Sequence, residues 1–475
     1  MLEVNELSCQ INAQKIFAEI NFSVRPGELL LLKGKSGSGK SSILNTLMGI
    51  IPEHISGNIQ GEITYLGKSL LDLTVLERAG TIGYLHQDPD TQLCTTTVAD
   101  ELVFGMENLG FSNTKIRQRL GRIIDFFALH SLLTKDLNAL SGGEKQLISL
   151  AATYAMDPDI FLLDEPTANL DVENSSKIAK LISEIAKKEN KIVVLVEHNL
   201  SYFKPYIDSI FDVDQGKMLD KAIAFEIDRY ERGFKIPVLT SQFGEERVLT
   251  VQNLKYAYSG KCLWEGINFS LFKGQVLGLT GKNGVGKTTL VNCLTGLDQK
   301  YAGIIEYQGQ SIKGMSVYQL GQNIGLVFQN PENQFIKLTV EEELKLSIHN
   351  RHRVYSRSEG QLDHYLEKFA LTDYRYANPY QLSQGQKRRL STASMLINGQ
   401  QILILDEPTY GQDRENLREL LLILYEIIQH GVSIIMISHD QEVLRHACHS
   451  ILQIRGQTSH YFAKALDYFE SWRQQ

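Results

Sequence analysis

The sequence predicts an α/β fold built twice, as two tandem domains that each hold a parallel sheet and a mostly helical insertion. Three observations lead there. A long segment near the start recurs without gaps past the middle of the chain. Short, continuous apolar runs end in acidic residues or histidine, as suits central parallel strands buried on both faces. A glycine-rich turn follows a buried strand in each copy. The 475 residues exceed one ordinary core and suit two to four domains, and 43% hydrophobic with 22% charged residues marks a globular chain. Lys plus Arg total 48 against 55 Asp plus Glu, a net charge of −7 that argues against a nucleic-acid partner or a polybasic membrane contact.

The elements follow in the same order in each copy. VNELSCQINAQKIFAEINFSVRPGELLLLKGKSGSGKSS from Val4 aligns with VQNLKYAYSGKCLWEGINFSLFKGQVLGLTGKNGVGKTT from Val251. Each half holds short alternating strands, such as 62–66, and a buried strand at 28–33 or 275–280 that feeds the glycine-rich turn. Polar, helix-prone segments come next, at 112–127 and 361–370. Buried strands are then expected at 160–163 and 192–196, and at 402–405 and 434–437. The strand-like SIFDVD and SILQIR close the two repeats. The division expected is a first domain at 1–220, a linker at 221–246, and a second domain at 247–475 with a short amphipathic tail docked on it. No apolar run approaches the roughly 20 residues of a membrane helix, and MLEVNELSC lacks the pattern of a cleaved leader. Cys9, Cys94, Cys262, Cys293 and Cys448 are scattered without a CxxC pair, which reads as reduced thiols.

The glycine-rich turns carry chemistry. Gly34, Lys35, Ser36, Gly37, Ser38, Gly39, Lys40 and Ser41 fit G-x-x-x-x-G-K-[ST], and so do Gly281, Lys282, Asn283, Gly284, Val285, Gly286, Lys287 and Thr288. Ser42 and Thr289 begin the helix-like segments that follow. Glycines let backbone N–H groups turn inward around phosphates, and the helix N-terminus adds partial positive charge. Lys40 and Lys287 are placed to reach the terminal phosphates of a nucleotide, and the hydroxyls of Ser41 and Thr288 to meet Mg²⁺. Two carboxylates close the next apolar strand in each half, Asp164 with Glu165 and Asp406 with Glu407. The first of each pair suits Mg²⁺ held partly through water, and the second suits polarising an attacking water. His198 and His439 follow the next strand, where a histidine contacts a γ-phosphate or orients water.

LSGGEKQ at Leu140–Gln146 and LSQGQK at Leu382–Lys387 resemble the signature motif of ATP-binding-cassette ATPases. Read physically, each is a capped helix N-terminus, Ser141 with Glu144, that also offers an anion site. The resemblance implies two RecA-like P-loop ATPase domains, each with an antiparallel β subdomain and a helical signature subdomain. It implies ATP and Mg²⁺ as ligands and a head-to-tail pseudo-dimer of the two halves. The first site would then gain Ser383 and Gly385, and the second Ser141, Gly142 and Gly143. Gln87 and Gln329 match the family's Q-loop glutamine, a contact for Mg²⁺ or water, and Asp171 and Asp413 its D-loop aspartate. Tyr258, or else Tyr256, matches the adenine-stacking aromatic in the second half, where the first has Ile11 and Cys9.

The segments LHQDPDTQLCTTTVADELVFGMENLG and VFQNPENQFIKLTVEEEL share a Q-[DN]-P-[DE]-x-Q pattern. This is similar to the ATPases of energy-coupling-factor importers, the cobalt/nickel-type group. The resemblance implies a peripheral subunit at the cytoplasmic face of the membrane. Its partners would be an integral membrane T component and a substrate-binding S component, and its cargo a vitamin, a thiamine or hydroxymethylpyrimidine-like precursor, or a metal ion. Asp90 and Glu332 are expected to pair with cationic residues of the T component. Gly142 against Gln384, and Ile11 against Tyr258, lead us to expect two competent but unequal sites. A fused sugar-importer ATPase, or a soluble tandem ATPase acting on ribosomes or nucleic acid, is the alternative.

Overall fold

The computed structural model describes residues 1–12, 14–35, 37–168, 170–197, 199–219, 242–258, 261–349, 359–409 and 414–473. The chain divides into two compact units, Met1–Phe234 and Lys235–Gln475.

The first unit pairs two sheets. β1 (Leu2–Ile11), β2 (Gln14–Val24), β4 (Asn58–Tyr65) and β5 (Lys68–Ser69) form an antiparallel sheet in the order β2-β1-β4-β5. Its strands alternate buried and exposed residues because one face meets the core and the other meets water. β3 (Leu29–Lys33), β6 (Ile82–Leu85), β7 (Ile160–Asp164), β8 (Ile192–Val196), β9 (Ser209–Asp212) and β10 (Lys217–Leu219) form the second sheet, ordered β10-β9-β3-β8-β7-β6. All its neighbours run parallel except β10 on β9. The unbroken apolar runs LLLL, IFLL and IVVLV are buried along their length, as the sequence predicts for strands covered on both faces.

The helical insertion contains Val98–Asn108, Asn113–Phe127 and Gly142–Ala155. Ile116, Ile123 and Phe127 make the buried stripe of the middle helix, and the Phe126 ring stacks on Tyr154 with centroids 5.3 Å apart.

The second unit repeats this plan. β11 (Arg247–Tyr258), β12 (Lys261–Phe272), β14 (Ala302–Tyr307) and β15 (Gln310–Ser311) give the order β12-β11-β14-β15. β13 (Val276–Gly281), β16 (Ile324–Val327), β17 (Ile402–Asp406), β18 (Ser433–Ile437), β19 (Ser450–Arg455) and β20 (Thr458–Phe462) give β16-β17-β18-β13-β19-β20. The sheets extend one strand past SIFDVD and SILQIR, since β10 and β20 hairpin back on their edges. The tail is a helix, Ala465–Arg473, docked on the second unit through Tyr468, 1% exposed, and Phe469. All five cysteines are free thiols.

Candidate functional site

Both glycine-rich turns leave the C-terminal end of an interior parallel strand, β3 or β13, and enter the helices Lys40–Met48 and Lys287–Leu294. In such sheets this edge is where ligands bind. Gly37 and Gly39 adopt φ of 80° and 93°, and Gly284 and Gly286 φ of 77° and 95°, a region that other residues enter at a cost. A Cβ at Gly286 would collide with Trp264 and Leu263, whereas Gly37 and Gly284 face open space. Neither helix has a side-chain cap, so its first N–H groups remain available to an anion. Lys40 Nζ donates to the carbonyls of Gly34 (2.8 Å) and Lys35 (2.7 Å), and Lys287 Nζ to Gly281 (2.7 Å) and Lys282 (3.2 Å). The ammonium groups thus sit inside the turns, next to the hydroxyl-bearing Ser41, Ser42, Thr288 and Thr289 of the first helical turn.

The two acid pairs stand at the ends of β7 and β17. Glu165 and Glu407 have φ of 47° and 45°, unusual for a side-chain-bearing residue and repeated in both halves. Their N–H groups donate across to the next strand, to Val196 (2.8 Å) and Ile437 (3.1 Å), and this curls the turn over the sheet edge. Burial raises the pKa of Asp406 despite Lys287 and Arg388. It raises that of Glu407 further, with the Asp406 charge adding to the effect and Lys287 opposing it. Glu407 Oε1 is buried without a hydrogen-bond partner among the described residues, and His439 Nε2 lies 3.5 Å away. His439 Nε2 is also 3.0 Å from both Lys287 Nζ and Asn283 Oδ1. In the second half the strand-end histidine, the loop lysine and the second acid therefore converge.

Among the described residues no cluster of three or more His, Cys, Asp or Glu forms a metal cage. One carboxylate and one hydroxyl per half fit Mg²⁺, which keeps several waters and leans on substrate phosphates.

Four positions of the Q-[DN]-P-[DE]-x-Q pattern, the capping residue, the proline, the acid and the last glutamine, have a structural task in both halves. Asp88 and Asn330 cap a single 3₁₀ turn that begins at Pro89 or Pro331. Gln92 bridges the Tyr84 carbonyl and Thr153, and Gln334 bridges Ser391 and Ser394, so each turn is tied to its signature helix. The acids also have partners within their own half. Asp90 is held by Lys145 at 2.5 Å and Glu332 by Lys387 at 2.6 Å, within the same half. Cations of the signature helix thus pair with both acids, whose side chains stay 65% and 36% exposed. Gln87 Nε2 donates to Glu165 Oε2 at 2.8 Å, which joins the Q-loop position directly to the second acid.

Ser141 and Ser383 cap the signature helices in reciprocal capping boxes with Glu144 and Gln386. A Cβ on Gly143 or Gly385 would meet the side-chain amide of Asn174 or Asn416, which would have to shift to admit it. The Gly142 position is open, which explains why the second copy tolerates Gln384. Asp171 caps the helix Val172–Lys188 by accepting the Asn174 N–H at 2.9 Å. Tyr256 is buried, with its hydroxyl on Asp298 at 2.5 Å, whereas Tyr258 is 73% exposed and has the available ring. Ser36, His198 and Asp413 lie outside the described residues, as does most of the expected linker.

Sequence reading missed three residues of this neighbourhood. Glu101 and Glu343 are buried, and each accepts two consecutive loop N–H groups, those of Cys94 and Thr95 or of Ile336 and Lys337. Their equal spacing from Gln87 and Gln329 was the available signal. Arg388, 1% exposed, reaches the carbonyls of Phe328 and Gln329.

Comparison with known proteins bears on the same segments. Residues 17–168 and 264–410 match the ABC transporter family. The Bacillus subtilis protein YkoD, provisionally named an HMP/thiamine import ATP-binding protein, is 31% identical over 95% of this chain and 89% of its own length. A Methanosarcina mazei protein, provisionally named an ABC transporter ATP-binding protein, is 29% identical over 96% and 93%. The structure of ribosome-bound archaeal Pelota and ABCE1 aligns over 98% of this chain and 80% of that one, with a TM-score of 0.71 and 20% identity, a likeness of fold alone.

Proposed function

Because this chain belongs to the ABC transporter family and is an ATPase, we propose that it is the energy-coupling subunit of a membrane importer of the energy-coupling-factor type. The observation that carries the reading is the duplicated site: phosphate loop, strand-end acid pair, and a Q-loop turn tied to its own signature helix. Lys40 and Lys287 hold the terminal phosphates of ATP. Glu165 and Glu407 polarise the attacking water, with His198 and His439 at the γ-phosphate. Ser41, Gln87 and Asp164, and in the other half Thr288, Gln329 and Asp406, would hold Mg²⁺, which neutralises phosphate charge. Ser383 and Gly385 complete the first site, and Ser141, Gly142 and Gly143 the second, when the halves close head to tail. Tyr258 stacks on adenine in the second site.

No helix among the described residues is long and apolar enough to cross a membrane, so transport needs a membrane partner. An exposed apolar surface supports one. Ile336 (74% exposed) and Leu338 follow Phe335, whose carbonyl accepts from the Tyr380 hydroxyl next to the second Q-loop turn, and exposed Tyr376 (76%) lies on the segment whose Arg375 and Ala377 carbonyls accept from Glu341 and Val340. In this reading a T component docks there, an S component selects the cargo, and the chain is peripheral at the cytoplasmic face. The likeness to YkoD supports thiamine or a pyrimidine precursor as cargo, with other vitamins and metal ions as the further candidates.

Tagged full-length chain, expressed in its own host and extracted with mild detergent, tests this. The expected result is co-purification of an integral membrane protein whose presence raises ATP hydrolysis. Recovery with ribosomes, or from membranes as a partner-free ATPase, would refute it.

A further inference from the structure

The two halves restrain their second acid in different ways. In the second half Arg388, in the first turns of the helix Gln384–Leu396, sends its guanidinium beneath the Q-loop. Nη1 donates to the Phe328 carbonyl and Nη2 to that of Gln329, both at 2.6 Å, and Nη2 also reaches the Glu407 carbonyl at 3.3 Å. One buried cation thus bridges the backbone that starts the Q-loop and the backbone of Glu407. That residue sits in a costly conformation, which persists only where its surroundings hold it. The planar fork of arginine suits this task, since it presents several fixed donors at once.

The first half has glutamine at the equivalent place. Gln146 follows Ser141 at the spacing by which Arg388 follows Ser383. It is equally buried, 2% exposed, yet its Nε2 has no hydrogen-bond partner among the described residues. There the Glu165 carbonyl accepts the Ala168 N–H at 3.0 Å, and the link to the Q-loop runs instead from the Gln87 side chain to the carboxylate.

We infer that Arg388 is a positioning residue of the second catalytic centre, keeping Glu407 in register with its Q-loop, and that Gln146 does no such work in the first. The inference rests on the reading of Glu165 and Glu407 as the hydrolytic acids, and it deepens the inequality of the two sites. A shift of the second Q-loop acts on Glu407 through its backbone, whereas a shift of the first acts directly on the Glu165 carboxylate.

Steady-state ATP hydrolysis by the full-length chain tests it, with rates normalised to bound nucleotide. In a Glu165→Gln background only the second site turns over. There Arg388→Gln is expected to lower kcat about tenfold with KM for ATP changed less than about twofold. Arg388→Lys, whose single ammonium cannot hold all three carbonyls together, is expected to fall between. In a Glu407→Gln background, Gln146→Leu is expected to leave first-site kcat within about twofold. The inference is overturned if Arg388→Gln leaves kcat unchanged, if it raises KM alone, or if Gln146→Leu costs as much. Where Arg388→Gln fails to bind nucleotide, Arg388→Lys decides, and wild-type kcat in that variant overturns the clamp. Activity surviving in Glu165→Gln/Glu407→Gln would instead sink the reading of both acids, and the clamp with it.

Discussion

Replacing Glu343 with alanine should destabilise the second unit by an amount that the local geometry sets. One carboxylate oxygen accepts the N–H groups of Ile336 and Lys337 at 2.9 and 2.8 Å, and the side chain is 3% exposed. Hydrogen bonds to a charged group contribute about 1.5–3 kcal/mol each, so the pair is worth about 3–6 kcal/mol if both donors stay dry. They would not stay dry: Ile336 is 74% exposed, and water can reach a loosened loop. The lower end, about 3 kcal/mol, therefore applies. At about 2–4 °C per kcal/mol for a domain of this size, the melting transition of the second unit should fall by about 6–12 °C. Glu343→Gln keeps a carbonyl oxygen at the same place and loses only the charge, so about 1 kcal/mol and 2–4 °C are expected. Differential scanning calorimetry of the full chain reads both. A fall below about 2 °C for alanine, or an equal fall for glutamine, would refute the account. Glu101→Ala should reproduce the effect in the first unit, where Cys94 and Thr95 donate.

Glu165→Gln and Glu407→Gln should each remove the turnover of one site, and the double variant should fall about 100-fold or more in kcat. Full activity in either single variant removes that site from the mechanism. Ile336→Asp with Leu338→Asp should abolish retention of a membrane partner in a detergent pull-down while ATP binding persists, whereas Thr96→Asp on the polar first-half counterpart should have a smaller effect. Alkylation of the native chain should mark exposed Cys94 and spare Cys293 and Cys448, whose thiols are pushed up to about 12, in both cases mainly by burial. Peptide mapping that found Cys293 or Cys448 modified at the Cys94 rate would contradict their burial.

What the sequence made legible is what local pattern encodes. Continuous apolar runs located the buried parallel strands, the gapless repeat placed both phosphate loops, and the recurring LDEPT placed both acid pairs. The edge strands β10 and β20 escaped notice because half-exposed edge residues carry no apolar run. The tyrosine question had a subtler cause. In a regular strand Tyr256 and Tyr258 would share one face, but the pairing of β11 with β12 slips between Tyr256 and Ala257. That irregularity aims Tyr256 into the core beside Trp264 and leaves Tyr258 in solvent. A β-bulge has no composition signature, so no reading of spacing alone separates the two rings.

The ties that cross from one element to another lie at sequence separations where no periodicity operates. Lys145 meets Asp90, Lys387 meets Glu332, and Arg388 meets Phe328, all through long side chains of the signature helix. Read from sequence, Asp90 and Glu332 look like surface acids awaiting a cationic partner. Read in the fold, they fasten the Q-loop turn to the helix that begins with the signature serine. A force on the exposed loop beside that turn therefore need not travel through the sheet to reach the signature helix: one ion pair and one glutamine bridge already join them in each half. The second acid is joined to the same segment through Gln87 in one copy and through Arg388 in the other. Both copies keep the first connection and differ in the second. The two sites should then respond together to a docked partner while differing in how fast each turns over.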